Sequence, residues 1–320
     1  MYQLDSLDRK ILSELDGDSR QAYSELAKKV RTKKDTVKYR IDRLIENEII
    51  DGFYTVIDYS KLGFLLFRLY IQTEGIPETK KQELLKYLKD HKNVNLLFRI
   101  TGIYHISFDV WVKDTWQYEE FWYGLIEKFG VYFSNYHSAL KTRYTEFSRN
   151  YLANDGKEKL QFTISQKTGK EDMDALDFKI LTIISTDARE SLVDIAKKSG
   201  TSVVTARDRL KQLIRKKVIV GFRTMLNYEK LGYQYYKVDL WFSNMARYSQ
   251  IMQRILSHSN VIYTERTLIT SHFEFDLEVK DFREFILIMD GFEKEFPEDI
   301  KRYEYYTMIK NYKTNYLPAL

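Results

Sequence analysis

Near the start of the chain, apolar residues recur at the three- and four-residue spacing of amphipathic helices. Leu7, Ile11, Leu12 and Leu15 mark a first helix, Leu26 and Ala27 lie inside a second over 23–30, and Val37, Ile41, Leu44 and Ile45 mark a third. Thr32, with Asp35 three places on, predicts an N-cap and capping box for the third helix. Three helices, the last two joined by a short turn, predict a helix-turn-helix. Ile49-Ile50 and Asp51-Gly52 switch the pattern, and alternation over 53–59 predicts the strand of a wing, closed by a turn at 60–63.

A different order follows. The pattern predicts a strand over 65–73, a helix over 77–91 with Pro77 at its start, strands over 96–101 and 105–112 on either side of Gly102, a helix over 116–129, and a last strand within 132–147. This β-α-β-β-α-β order is the ferredoxin-like plan.

The whole arrangement then repeats. Gly52-Phe53 reappears as Gly221-Phe222 at an offset of 169, as do Leu7-Asp8 in Leu176-Asp177 and Lys61-Leu62-Gly63 in Lys230-Leu231-Gly232. The second half repeats at an offset of 167, with Val112-Lys113-Asp114 matching Val279-Lys280-Asp281. The fold class expected is α+β: two tandem copies of a winged helix-turn-helix followed by a ferredoxin-like domain. The boundaries expected are 1–63 and 64–150, a polar linker over 151–172, then 173–232 and 233–320.

The chain has 320 residues, no cysteine and no apolar run long enough to cross a membrane, which excludes disulfides and thiolate sites. Its opening Met1-Tyr-Gln-Leu-Asp lacks the pattern of a signal peptide, so a cytoplasmic location is expected. The net charge of +5 is mild, and its distribution says more. Residues 173–232 hold twelve Lys/Arg against seven Asp/Glu, whereas 1–63 hold twelve of each.

A winged helix-turn-helix lays its last helix in the DNA major groove. The candidate contacts in the first copy are Lys33, Lys34, Lys38, Arg40 and Arg43, with Thr36 and Tyr39 as secondary ones. In the second copy they are Ser202, Arg207, Arg209 and Lys211, with Thr205 and Asp208 secondary. Arg40 and Arg209 have a second reading, as internal ion pairs with the first helix of their unit. His91 and His258 end helices, where a cation favours the dipole. No histidine or carboxylate spacing suits a metal, and no cofactor or catalytic residue is assigned. Tyr303, Tyr305, Tyr306, Phe108 and Trp111 read as sheet-core aromatics.

The run Leu7-Asp8-x-Lys10-Ile11-Leu12, Arg20, Glu25-Leu26-Ala27-Lys28, Thr36-Val37, Arg40-Ile41-x-Arg43-Leu44, Ile49-Ile50-x-Gly52-Phe53 and Leu62-Gly63 resembles the Lrp/AsnC family of transcription regulators of bacteria and archaea. The resemblance covers nearly the whole chain, twice. It implies double-stranded DNA as a partner, a ferredoxin-like domain for ligand sensing and assembly, and either an intrachain pseudo-dimer or a tandem chain that still dimerises into a further homo-oligomer. It also implies a small-molecule effector at the loop holding Gly102, Tyr104 and His105 in one copy and Ser271 and His272 in the other.

The departures are specific. The family has Gly in the turn between helices two and three, followed soon by Ser. Gly200 and Ser202 keep both in the second copy, where the first has Arg31 and Lys33. The sensing loop usually reads Gly-x-x-Asp, and here it is Gly102-Ile-Tyr-His105 and Ile269-Thr-Ser-His272. The architecture also resembles siroheme decarboxylases, whose tetrapyrrole loop matches 99–108 and 266–275 only in fragments. A non-DNA interaction scaffold is the third class.

Overall fold

The computed structural model describes residues 3–153, 158–166, 169–268 and 271–319. The first copy opens with α1 (Ser6–Gly17), α2 (Tyr23–Lys29), α3 (Lys34–Glu46) and β1 (Ile50–Ile57). Asp5 and Asp8 form a reciprocal capping box at α1. The cap expected at Thr32 is not there: Lys33 holds the N-cap position of α3 with no side-chain bond. Thr32 is used otherwise, its N–H donating to the Ala27 carbonyl at 2.9 Å to close the end of α2. That closure puts Arg31 in the left-handed region, at φ 56°.

β2 (Leu65–Thr73), α4 (Glu78–Asp90), β3 (Val94–Thr101), β4 (Ile106–Val112), α5 (Thr115–Phe129) and β5 (Phe133–Phe147) complete the first copy. The stretch 151–172, expected as a linker, contains a strand, β6 (Gln161–Ser165), which pairs with the end of β5 and buries Phe162 and Ile164. Polar flanks hide this short apolar alternation from a composition reading.

The second copy consists of α6 (Ala175–Ser185), α7 (Leu192–Ser199), α8 (Val203–Arg215), β7 (Ile219–Leu226), β8 (Gln234–Phe242), α9 (Tyr248–Leu256), β9 (Val261–Leu268), β10 (Phe273–Val279), α10 (Phe282–Glu295) and β11 (Ile300–Thr314). Here Ser202 caps α8, accepting from the Thr205 N–H at 3.0 Å, and Gly200 takes the left-handed turn at φ 75°. The expectation of a cation at the helix ends is corrected: His91 and His258 are held neutral, because burial lowers both, His258 to about 4. Each instead accepts a backbone N–H two residues on, from Asn93 and Asn260.

The two copies close on each other within the chain. The strand order β2-β4-β3-β11-β8-β10-β9-β5 returns to β2 through β5, so eight strands form a barrel without free edges, and β6 adds to β5. The long strands β5 and β11 do the joining, each pairing with its own sheet at one end and with the other copy at the far end. The registers obey a two-fold: Arg143 faces Arg266 and, at the equivalent place, Lys310 faces Arg99. Outward Leu69, Phe108 and Val110 pack on α4 and α5, and Phe273, Phe275 and Leu277 pack with α9 and α10.

The wings pair too. β1 and β7 form an antiparallel ribbon in which Tyr54 faces Arg223, its own repeat equivalent, so the same two-fold passes there. Each wing strand also serves the other copy. Thr55 donates to the Ile184 carbonyl of α6 at 2.6 Å, and Thr224 to the Leu15 carbonyl of α1 at 2.9 Å. Arg20 donates to the Ala188 carbonyl and Arg189 to that of Ser19.

Recognition helices and the barrel cavity

The helical periodicity turns Val37, Ile41 and Leu44 of α3, and Ala206, Leu210 and Leu213 of α8, into their cores. The opposite faces carry the candidate DNA contacts. Lys33 and Lys34 are exposed; Thr36 is half-buried. Lys38 pairs with Asp42 at 2.7 Å, one turn on, and Arg43 lies over the ring of exposed Tyr39. In α8, Arg207 and Lys211 are exposed, Arg207 reaches Asp208 at 3.1 Å, and the hydroxyls of Ser202 and Thr205 share a hydrogen bond of 2.8 Å.

Arg40 and Arg209 take their second reading. Arg40 bonds Asp5 at 2.6 Å and Asp8 at 3.1 Å, while Arg209 reaches Asp174 at 2.8 Å and Asp177 at 3.2 Å. Both arginines clamp the third helix to the capping box of the first. Exposed Val203 and Val204 open α8 where Lys34 and Asp35 open α3, an apolar pair that attention to charge passed over. A strip of two valines beside a capping serine was the available signal.

The effector candidates separate. His105 accepts the Thr73 N–H at 3.2 Å and His272 accepts that of Phe242 at 2.9 Å, so both pin strand ends. Gly102 holds φ 121° against Tyr306, Tyr104 stacks on Tyr70 at 5.4 Å, and Ser271 is buried. Ile269 and Thr270 of that loop lie outside the described residues. None of these five candidates lines the large cavity of the molecule.

That cavity, of about 590 Å³, lies between the barrel interior and the wing ribbon. Strand alternation builds it: Asp109 and Trp111 on β4, and Asp276 and Glu278 on β10, alternate with outward apolar residues. Of the aromatics read as core, Phe108 packs outward, whereas Trp111 lines the cavity.

Two charge clusters occupy the interior. In the first, Arg68 bonds Asp109 at 2.9 Å and Glu265 at 2.7 Å. Lys141 bonds Asp109 at 2.6 Å and Glu265 at 3.1 Å. Lys237 reaches Glu274 at 2.8 Å and Asp276 at 3.5 Å, and buried Asp239 lies close by. Burial alone would raise the Glu265 carboxyl, but Arg68, Lys141 and Lys237 hold it well below its usual range. In the second cluster, Arg149 bonds Asp16 and Glu278, each at 2.8 Å, and Arg223 bonds Asp16 at 2.9 Å. Tyr54 donates to Glu146 at 2.6 Å. Sequence reasoning missed these residues, because a strand with an acid at every second place reads as half-solvated.

The architecture defines a class: paired winged helix-turn-helix units carried on a closed barrel of two ferredoxin-like sheets. The model of the AsnC-type helix-turn-helix domain matches residues 4–45 and again 173–214. An uncharacterized HTH-type transcriptional regulator of Pyrococcus furiosus is 33% identical over 140 residues, which are 43% of this chain and 93% of that protein. The HTH-type transcriptional regulator Ptr1 of Methanocaldococcus jannaschii is 35% identical over 114 residues, 35% of this chain and 74% of its own. The solved structure of the siroheme decarboxylase NirDL superposes with a TM-score of 0.68 over 99% of this chain and 94% of its own, at 13% identity, and so shares the fold. The chain belongs to the Lrp/AsnC family of HTH-type transcriptional regulators, in a two-copy form.

Proposed function

We propose that this chain is a transcription regulator that binds double-stranded DNA with sequence preference, reading two half-sites with two non-identical recognition helices. The observation that carries the reading is the wing ribbon, whose two-fold register holds two exposed, cation-bearing third helices in one molecule. The N-terminal part of such a helix meets base edges, and backbone contacts set its register. Lys33 and Lys34 open α3 as phosphate or base contacts. Val203 and Val204 open α8 as apolar partners for a thymine methyl, with Arg207 placed for a guanine edge. The half-sites therefore differ, and the site is an imperfect palindrome.

The reading assigns the chain no reaction of its own, a place with the DNA in the cytoplasm, and a small-molecule effector. Selection of bound sequences from random duplexes tests it, followed by isotherms at several salt concentrations. Arg207→Ala is expected to cost about 1–3 kcal/mol on the selected site and to relax one position. Lys34→Ala is expected to weaken every duplex alike and to lower the salt slope by about one unit. Affinity insensitive to salt and to both substitutions would sink the reading.

A further inference from the structure

Among the described residues, the barrel interior holds more acid than base. Its two clusters bury the carboxyls of Asp109, Asp239, Glu265, Glu274 and Asp276 against three cations, and those of Asp16, Glu146 and Glu278 against two. A buried carboxylate without a counter-charge is costly, so a surplus of this kind is met either by protons or by a bound cation. Burial pushes up Asp239 and Asp276 in the first cluster and Glu146 in the second, which matches the surplus of each.

Three further observations point to a ligand. The cavity of about 590 Å³ lies within the size range of small-molecule sites. Tyr144, Tyr235, Tyr263 and Tyr316 line it, and aromatic rings attract organic cations. Two polar groups of its wall, Asn95 Oδ1 and Trp111 Nε1, are buried and without a hydrogen-bond partner among the described residues. The first of these is an acceptor suited to an N–H donor. The lining residues that reach solvent include Asp51 and Glu229 beside Lys310, so the mouth is acidic on balance.

We propose that the barrel interior binds a small organic cation, an amine or guanidinium on an aromatic or short aliphatic body, placed between the tyrosine faces and the Asp276 and Glu146 carboxyls. The wall includes Thr55 and Val56 of β1 and Thr224 and Met225 of β7. The bound cation therefore touches the ribbon that fixes the two helix-turn-helix units.

Calorimetric titration of the full chain, without DNA, tests the site independently of the DNA reading. The probes are tyramine, agmatine and putrescine, with tyrosol as the neutral isostere of tyramine and benzoate as the anion. At least one amine is expected to bind one-to-one with a Kd below about 1 mM, while tyrosol and benzoate do not saturate. Met225→Trp fills the cavity from the ribbon side without changing charge, and should abolish binding. Asp276→Asn should weaken it at least tenfold. Should Asp276→Asn fail to fold by circular dichroism, Glu146→Gln is the second charge variant, with the same expected loss. The proposal is overturned if none of the three amines saturates, if tyrosol or benzoate binds as tightly as they do, or if amine affinity survives both the cavity-filling and the charge substitution.

Discussion

At the scale of single residues, the two copies compare one position in two chemistries. Arg31 and Gly200 both hold the left-handed turn before the third helix, and the same closing bond follows each: Thr32 to Ala27, and Thr201 to Ala196, both at 2.9 Å. A side chain there costs about 1 kcal/mol that glycine avoids. Arg31→Gly should stabilise the full chain by that amount, read as a higher urea midpoint. Gly200→Arg should lower it similarly, since a Cβ at Gly200 meets nothing within 4 Å and only backbone strain changes. A fall in the midpoint for Arg31→Gly would refute the strain. His258 supplies a pH test. Its folded value, lowered by burial to about 4, lies below the ordinary 6.5, so the native state binds fewer protons than the unfolded one. Its contribution is complete above about 6.5 and is lost as pH falls from there toward 4. Between pH 7 and 4 the unaltered chain should lose up to about 3 kcal/mol more than His258→Asn does, read from denaturation midpoints. Equal losses would show that the ring is not held neutral. The turn glycine, its replacement by Arg31 and the positions of the histidines were legible in the sequence. The neutrality of His91 and His258 was not, because it depends on rings from α5 and α10, Phe121 and Phe292, that pack beside them.

At the scale of elements, local periodicity carried most of the reading, and it failed where one pattern fits two environments. Helices α1 to α3 and α6 to α8 show a one-sided apolar face that has no other use. The run Phe273-Glu-Phe-Asp-Leu-Glu-Val279 fits an amphipathic strand facing water as well as one lining a polar barrel; closure by β5 and β11 decides between them, and that is a long-range pairing. β6 was lost for a related reason, since five residues within a polar stretch carry little periodic signal. Its place makes a test. A Cβ built on Gly221 would lie 2.3 Å from the Phe162 ring, so the ribbon and β6 meet at that glycine. Gly221→Ala must displace Phe162 and should cost about 1–3 kcal/mol. In a Phe162→Ala background the same change should cost much less, as a double-mutant cycle would record. Additive effects of the two changes would mean that β6 does not pack there.

At the scale of the molecule, the two copies meet across a two-fold within one chain, and the strands crossing it leave little freedom. Three strand junctions and the Arg20 and Arg189 bonds all respect one two-fold, from the barrel to the wings. Two helix-turn-helix units joined by a flexible tether would tolerate changes in half-site spacing, because effective concentration falls slowly with tether length. Units fixed in one ribbon do not have that latitude. On the selected DNA site, inserting five base pairs between half-sites rotates one groove by about half a turn, and should reduce affinity to that of a single half-site. Inserting a full turn restores the face of the helix but adds about 34 Å to the separation, so a rigid pair should not recover. A tethered pair should recover most of its affinity. Binding isotherms on the three duplexes, with a half-site duplex as the reference, separate the cases. Recovery at the full-turn insertion would show that the ribbon opens when DNA is bound, and that the two copies read their half-sites independently.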